Sequence, residues 1–416
     1  MKVYLEVYGC TANKSDASLV KGILKDNNFK IVDEINNADI LVLLTCTVIG
    51  TTEQRMLSRL KVLKNSEKTI IVGGCMASVQ SDLIKSILPN ARLLPPQFSY
   101  HILDLLKNEK TDFKLLNKTT LSKYYDGISA PISIAEGCNF SCSYCITSLA
   151  RGKLKSYPSN EIIEDINSAI RQGCKEIQLT SQDTSSYGLD SGNNLGELLR
   201  EVCKINNQFR VRVGMMNPYT CLINIDSIIK GYDSSKIYKF LHLPVQSGDN
   251  IILEKMNRKY SVDDFLKIVK KFRLAYPDIT ISTDIIVGFP TETVNQFENT
   301  IKLLKNIKPD ITNITRYSAR PNTKAKSMKG RIDTNIVKTR SKYLSELCSK
   351  ISKQNNLKHI GKKYNVLITE RGKEDSFVGR SENYKPIVLK EKVEIGDIKS
   401  VIIKNASSTF LVGSII

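Results

Sequence analysis

The chain has 416 residues, 41% of them hydrophobic and 25% charged, which is the composition of two or three ordinary globular domains. Its formal net charge of +19 points towards nucleic acid or another anionic surface. The start "MKVYLEVYGC" carries Glu6 and Tyr8 where a secretory signal would be apolar, and the run "ILVLLTC" is too short to span a bilayer. Secretion and membrane insertion are therefore not expected, and a soluble cytoplasmic protein is. Ten cysteines in such a chain argue for metal or catalysis rather than disulfides, because cytosolic thiols stay reduced.

Strand and helix alternate over residues 1–100. "KVYLEVYG" reads as a strand and is followed by a helix from about Lys14 to Asn27. "ADILVLLT" is a near-continuous apolar run, as expected of a strand covered on both faces. "TTEQRMLSRLKVLKN" has helical periodicity, "KTIIVGG" is another buried strand, and a helix is expected from about Ser78 to Leu88. This order predicts a doubly wound parallel sheet in an α/β domain over residues 1–107. Residues 108–129 are polar with little periodicity and read as a linker or connecting ribbon.

A second βα series begins at Ala130. Its strands are "PISIAE", "EIQLTS", "RVRVGM", "KFLHLPV", "ITISTDIIVGF" and "ITNITRYS", with helices such as "NEIIEDINSAIRQG" and "VDDFLKIVKKFRLAY" between them. Six βα units suggest a partial, open (β/α)6 barrel rather than a closed eightfold one. A long basic helix from about Thr334 to Leu357 ends this domain, which spans 130–360. The tail, 361–416, turns into short strands divided by Gly, Asn and Asp turns, and predicts a small all-β barrel.

The thiols carry the chemistry. Cys138, Cys142 and Cys145 in "CNFSCSYC" are separated by three and two residues and fall after the first barrel strand, at the C-terminal rim where barrel enzymes place their sites. Three thiolates this close can hold three corners of a cubane cluster and leave one iron open, with Tyr144 shielding it. Zinc binding is the alternative. In the N-terminal domain Cys10, Cys46 and Cys75 each follow a predicted strand. Parallel strands end on one edge, so these thiols can converge as a second three-ligand set. The alternative is three small buried residues. Cys174, Cys203, Cys221 and Cys348 share no geometry and read as structural, as do the isolated His101 and His242.

C-x-x-x-C-x-x-C after the first strand of a partial barrel resembles the radical S-adenosylmethionine superfamily. With "GCTANKSDA", "TCTV", "GGCMAS", "LTSQDTSSYG", "LPVQSGDNIILEKMNRKY", "TDIIVGFPTET" and "RYSARPNT", the whole chain resembles the methylthiotransferase family within it. That resemblance implies two 4Fe-4S clusters, one on Cys138, Cys142 and Cys145 and an auxiliary one on Cys10, Cys46 and Cys75. It also implies S-adenosylmethionine on the open iron of the first, and a C-terminal TRAM RNA-binding barrel. The first cluster would generate a radical that removes hydrogen from an adenosine carbon. The second would supply a sulfur that is then methylated, giving a methylthio-adenosine. An electron donor and a sulfur donor are implied as partners. Gln182 and Gln246, at the ends of the second and fourth barrel strands, either bind the cofactor's polar ends or are turn amides satisfied locally.

The substrate follows from charge and from the start of the chain. Between Arg320 and Lys363 thirteen Lys and Arg residues face two carboxylates, more than half of the net excess. The candidates for RNA contact are Arg320, Lys324, Lys326, Arg331, Arg340, Lys362 and Lys363, and the bland reading of the same stretch is a solvated lysine-rich face. "YGCTANKSDA" is closer to archaeal and eukaryotic members of the family, which resemble enzymes acting on threonylcarbamoyladenosine beside the anticodon of transfer RNA. An anticodon stem-loop is therefore the expected partner, and no protein partner is predicted. Isopentenyladenosine enzymes and enzymes that modify a ribosomal-protein aspartate are the alternatives within the family. A non-enzymatic iron–sulfur RNA-binding protein is the alternative outside it.

Overall fold

The computed structural model describes residues 1–48, 50–107 and 116–416, in two compact units. The first comprises residues 1–172, 178–182 and 318–326; the second comprises 173–177, 183–317 and 327–416.

The first unit opens with five strands, β1 (Lys2–Val7), β2 (Lys30–Val32), β3 (Ile40–Thr45), β4 (Thr69–Gly74) and β5 (Arg92–Leu94), all parallel in the order β2-β1-β3-β4-β5. Every residue of β3 is buried. The pleat sends Leu41 and Leu43 to one face, against Met56, Leu60 and Met76, and sends Ile40, Val42 and Leu44 to the other, against Val20, Leu24 and Ile102. An apolar run without alternation is what two covered faces require.

The helix after β1 spans Thr11–Asp26 and starts three residues earlier than its periodicity predicts. The helix expected over 78–88 is two helices, Cys75–Val79 and Ser81–Ile87, broken at Gln80. Its missed first turn matters, because Cys75 stands at the head of that turn.

Of the polar stretch after this sheet, residues 108–115 lie outside the described residues. The remainder is a ribbon tied down by buried charges: Lys118 pairs with Asp16 and Glu136, and Lys123 pairs with Asp165, which also accepts from the Tyr125 hydroxyl at 2.9 Å. Strand β6 (Ser129–Ser133) follows, then a short antiparallel pair, β7 (Ala135–Glu136) with β8 (Lys155–Ser156). The expected strand "PISIAE" is thus split at Ile134 between β6 and β7.

Strand β9 (Glu176–Thr180) divides between the units, and its end pairs with Ile134 through the Thr180 carbonyl at 3.0 Å. The second unit holds β10 (Arg210–Val213), β11 (Phe240–His242), β12 (Thr280–Val287) and β13 (Ile311–Arg316), so all six predicted barrel strands are present. β11, β12 and β13 are parallel, and a parallel bridge from Val211 to Ile237 leads from β10 towards β11. Two intervening helices, Val262–Ala275 and Val294–Ile307, begin with capping boxes, Ser261 with Asp264 and Thr293 with Gln296, which satisfy donors that a helix start leaves open.

The basic helix spans Thr334–Leu357, capped by Asp333. The tail folds as predicted into five strands, β14 (Lys363–Arg371), β15 (Phe377–Arg380), β16 (Pro386–Leu389), β17 (Ile398–Ala406) and β18 (Leu411–Ile415). They close in the order β14-β15-β16-β18-β17 around Val366, Ile368, Ile387, Leu389, Val401 and Leu411. Among the described residues, no helix is long and apolar enough to cross a membrane.

Candidate functional site

All six cysteines singled out by sequence fall in the first unit. Cys10 is the residue before the Thr11–Asp26 helix and is exposed. Cys46 directly follows β3, Cys75 directly follows β4, and both are buried. The sheet register aligns these ends, with Val7 opposite Leu44 and Thr45 opposite Gly74. Local bonds and a close approach hold them together. The Asn13 amide donates to the Tyr8 and Thr45 carbonyls at 2.7 and 2.8 Å. The Thr45 hydroxyl donates to the Gly73 carbonyl at 2.6 Å. Gly9 has φ +99°, and a Cβ placed there would lie 2.7 Å from the Cys46 Cβ. Burial pushes the Cys75 thiol up to about 11, with Cys10 and Cys46 adding to the rise and Arg151 opposing it.

Cys138, Cys142 and Cys145 occupy the loop between β7 and the Thr147–Arg151 helix, each half-buried. The Cys138 N–H donates to the Gly152 carbonyl at 3.0 Å, and the Cys145 N–H donates to the Cys142 carbonyl at 3.1 Å. The Thr147 N–H donates to the Cys145 sulfur at 3.4 Å. Gly137 precedes the loop at φ +78°, where a Cβ would stand 1.9 Å from the Lys153 carbonyl, so only glycine fits.

Among the described residues, no three Cys, His, Asp or Glu side chains are close enough to share a single metal ion. A cubane asks for something else: three thiolates, each on its own iron. Both sets supply three thiols, which coordination would deprotonate. At the end of β9 the Ser181 hydroxyl and the Gln182 carbonyl oxygen are buried without a hydrogen-bond partner. With Arg151 Nε, they are three orphaned side-chain atoms in the unit that carries the thiols, and such atoms suit a polar ligand.

Sequence reasoning missed the charged network around the Cys10, Cys46 and Cys75 set. Arg151 is 3% exposed. Its guanidinium donates to Glu136 at 2.8 Å, to Asn13 at 2.8 Å and to Asp16 at 2.7 Å. Lys118 closes the network from the ribbon, at 2.8 Å from Asp16 and 2.7 Å from Glu136. The two cations hold the Asp16 carboxyl below the usual range although burial works the other way. A cavity of about 690 Å³ opens beside the network and reaches Ala77 and Ser78, just past Cys75. No sequence motif marks these residues, because the partners lie far apart along the chain.

The RNA candidates need correction. Arg320 is buried, paired with Glu53, and donates to the Thr47 carbonyl at 3.3 Å. Arg340 is buried and paired with Glu292 at 2.8 Å. Their charges are satisfied inside the fold and cannot meet phosphate. Lys324, Lys326, Arg331, Lys362 and Lys363 are exposed.

In the second unit, Gln246 takes a left-handed backbone, φ +71°, its N–H donating to the Asp284 carbonyl at 2.8 Å. His242 is isolated only in sequence: its ring stands 3.0 Å from Asp284, which also accepts from Asn313 at 2.8 Å. His101 pairs with Asp104. Of the remaining cysteines, Cys174, Cys221 and Cys348 are buried, and burial pushes their thiols and that of the half-buried Cys203 up, Cys174 to about 11.

Comparison with known proteins gives three family matches in chain order: Uncharacterized protein family UPF0004 over residues 2–94, the Radical SAM superfamily over 132–304 and the TRAM domain over 358–416. A probable threonylcarbamoyladenosine tRNA methylthiotransferase of Archaeoglobus fulgidus is 39% identical, covering 100% of this chain and 99% of its own. A protein of the same description from Pyrococcus horikoshii is 40% identical, covering 100% of both chains. A tRNA-2-methylthio-N(6)-dimethylallyladenosine synthase of Thermosipho melanesiensis is 32% identical, covering 100% of this chain and 99% of its own. Among solved structures, the radical S-adenosylmethionine methyltransferase TsrM of Kitasatospora setae superposes with a TM-score of 0.57 at 12% identity, covering 78% of this chain and 77% of its own, which speaks for the fold alone.

Proposed function

We propose, starting from the fact that the chain belongs to the radical S-adenosylmethionine methylthiotransferase family, that it places a methylthio group on C2 of N6-threonylcarbamoyladenosine next to the anticodon of transfer RNA. The observation that carries this choice of substrate is the end-to-end identity of 39–40% with archaeal relatives so described, against 32% for a dimethylallyladenosine synthase.

Cys138, Cys142 and Cys145 would hold one 4Fe-4S cluster, and Cys10, Cys46 and Cys75 a second. Bound together, the clusters and S-adenosylmethionine supply the radical, the sulfur and the methyl group, chemistry that no side chain provides. The protein's own part is placement. The β7–β8 pair and Gly137 fix the first loop, and the aligned ends of β1, β3 and β4 fix the second set. Ser181 and Gln182 offer the cofactor buried, unpartnered polar side-chain atoms; Gln246 is carried as a cofactor contact from its strand-end position in the sequence. Exposed Lys324, Lys326, Arg331, Lys362 and Lys363 bind RNA phosphates, which position the substrate without reading its sequence. Each turnover uses electrons and one sulfur atom, so the cytoplasmic enzyme needs an electron donor and a sulfur donor. The cavity lined by Ala77, Ser78 and Arg151 is where a small donor would enter. Functionally the chain divides into 1–107, the ribbon 108–129, 130–360 and 361–416.

Mass spectrometry of transfer-RNA nucleosides from a deletion strain tests the substrate. Methylthio-threonylcarbamoyladenosine should vanish, return with the intact gene, and stay missing with Cys46→Ala although that variant still cleaves S-adenosylmethionine. Loss of a methylthiolated isopentenyladenosine instead would move the enzyme to the other branch of the family.

A further inference from the structure

We infer that Arg151 is a positioning residue for the Cys10, Cys46 and Cys75 site, delivered to it by the loop that carries Cys138, Cys142 and Cys145. The inference rests on reading Cys10, Cys46 and Cys75 as cluster ligands.

Its backbone belongs to the radical-cluster loop. Arg151 ends the helix that begins two residues after Cys145. The carbonyl of its neighbour, Gly152, accepts the Cys138 N–H at 3.0 Å. Arg151 is therefore pinned at both ends to residues of that loop.

Its side chain belongs to the other site. One guanidinium nitrogen donates to Asn13 at 2.8 Å. This fixes which way the Asn13 amide faces, and that amide bridges the Tyr8 and Thr45 carbonyls, two residues before Cys10 and one before Cys46. The third strand end is coupled through the sheet register, because Thr45 pairs with Gly74, the residue before Cys75. One side chain thus supports the strand ends that carry all three thiols. Asp16 shares with Asn13 one terminal nitrogen of the guanidinium, and Glu136 takes the other. Lys118 balances the second of these carboxylates, so the four charged groups sum to zero before any cluster is added. Only a planar fork reaches Asn13, Asp16 and Glu136 at once, and lysine cannot replace it.

The test uses the full-length chain with Cys138, Cys142 and Cys145 all changed to alanine, reconstituted anaerobically with iron and sulfide so that only the auxiliary site can fill. Iron retention against a chelator and the cluster's midpoint potential are read. Arg151→Met should weaken retention about ten-fold, as loss of a residue behind the ligands typically does. It should also move the potential to more negative values, because a nearby cation favours the reduced cluster. Arg151→Lys should keep the potential near the parent's while still losing iron, since the charge remains and the fork does not.

Arg151→Met leaves two carboxylates against one lysine and could damage the fold, so Arg151→Met combined with Glu136→Gln restores neutrality. If that double variant is folded and recovers the parent's retention and potential, Arg151 acts only by neutralising Glu136 and the inference is overturned. If the three-alanine parent takes up no iron, the ligand assignment itself is wrong and the inference falls with it.

Discussion

His359 shows how a single side chain sets a response to pH. It is 7% exposed, and its Nδ1 lies 2.5 Å from the Tyr364 hydroxyl. Burial, reinforced by the charges of Lys385 and Lys362 and opposed by Asp310 and Asp278, pushes the imidazole down to about 4. The unfolded chain, with an ordinary histidine, binds that proton near pH 6.5. Between the two values the unfolded state holds more protons, so stability is fully present above pH 6.5 and is lost as pH falls towards 4. The loss from this group between pH 7 and 5 should be about 2 kcal/mol, somewhat less where water reaches the ring. Denaturant titrations at the two pH values should show it in the parent and not in His359→Asn. An unchanged difference would mean that other groups carry the acid sensitivity. Nothing in the sequence "NNLKHIGKK" announces this, because burial of the ring depends on β14 folding back on it. Arg320 and Arg340 teach the same lesson with opposite consequences: sequence gives the sign of a charge but not whether Glu53 or Glu292 waits for it inside the fold.

Elements are more legible than side chains, for reasons that differ along the chain. β3 and β4 declare themselves by unbroken apolar runs, and the strand ends that carry Cys46 and Cys75 follow from parallel pairing alone. The basic helix Thr334–Leu357 is legible at both ends, with Asp333 in place to cap its start. The helix after β4 is not. Gly74 takes φ +82°, and this lets the chain turn at once into the helix headed by Cys75. The two glycines read in sequence as the end of the strand, as they are, but nothing there marks the immediate turn into a helix, which is why the predicted helix begins three residues late. At Gly74 a Cβ would lie 2.4 Å from the Thr45 carbonyl oxygen and 2.8 Å from its nitrogen, both backbone atoms that cannot step aside without moving Cys46. Gly74→Ala should therefore cost about 2 kcal/mol or more, combining the left-handed backbone with the overlap. It should also lower iron uptake at the auxiliary site while sparing the Cys138, Cys142 and Cys145 loop. Chemical denaturation and iron content of single-site variants measure the two effects separately. Equal loss at both cysteine sets would point to general unfolding rather than displacement of one strand end.

At the scale of the whole chain, the net charge of +19 is a statement about binding, and its distribution decides which residues carry it. The stretch from Arg320 to Lys363 supplies much of the excess, yet its members divide by burial. Exposed Lys362 and Lys363 can exchange counterions for phosphates; Arg340, inside the fold on Glu292, cannot. The dependence of transfer-RNA affinity on salt separates the two kinds. For every phosphate that is no longer neutralised, the slope of log affinity against log salt should shrink by about 0.7 to 0.9, so Lys362→Gln with Lys363→Gln should flatten it by roughly 1.5. Lys362 also approaches Asp278 at 3.4 Å, but both side chains are largely exposed, and so weak a pair leaves the lysine available. Arg340→Gln should leave the slope where it is and cost about 3 kcal/mol of stability instead, because Glu292 would lose its buried partner. A slope that falls with Arg340→Gln and not with the lysine pair would place the RNA on a different face of the protein from the one the exposed lysines mark.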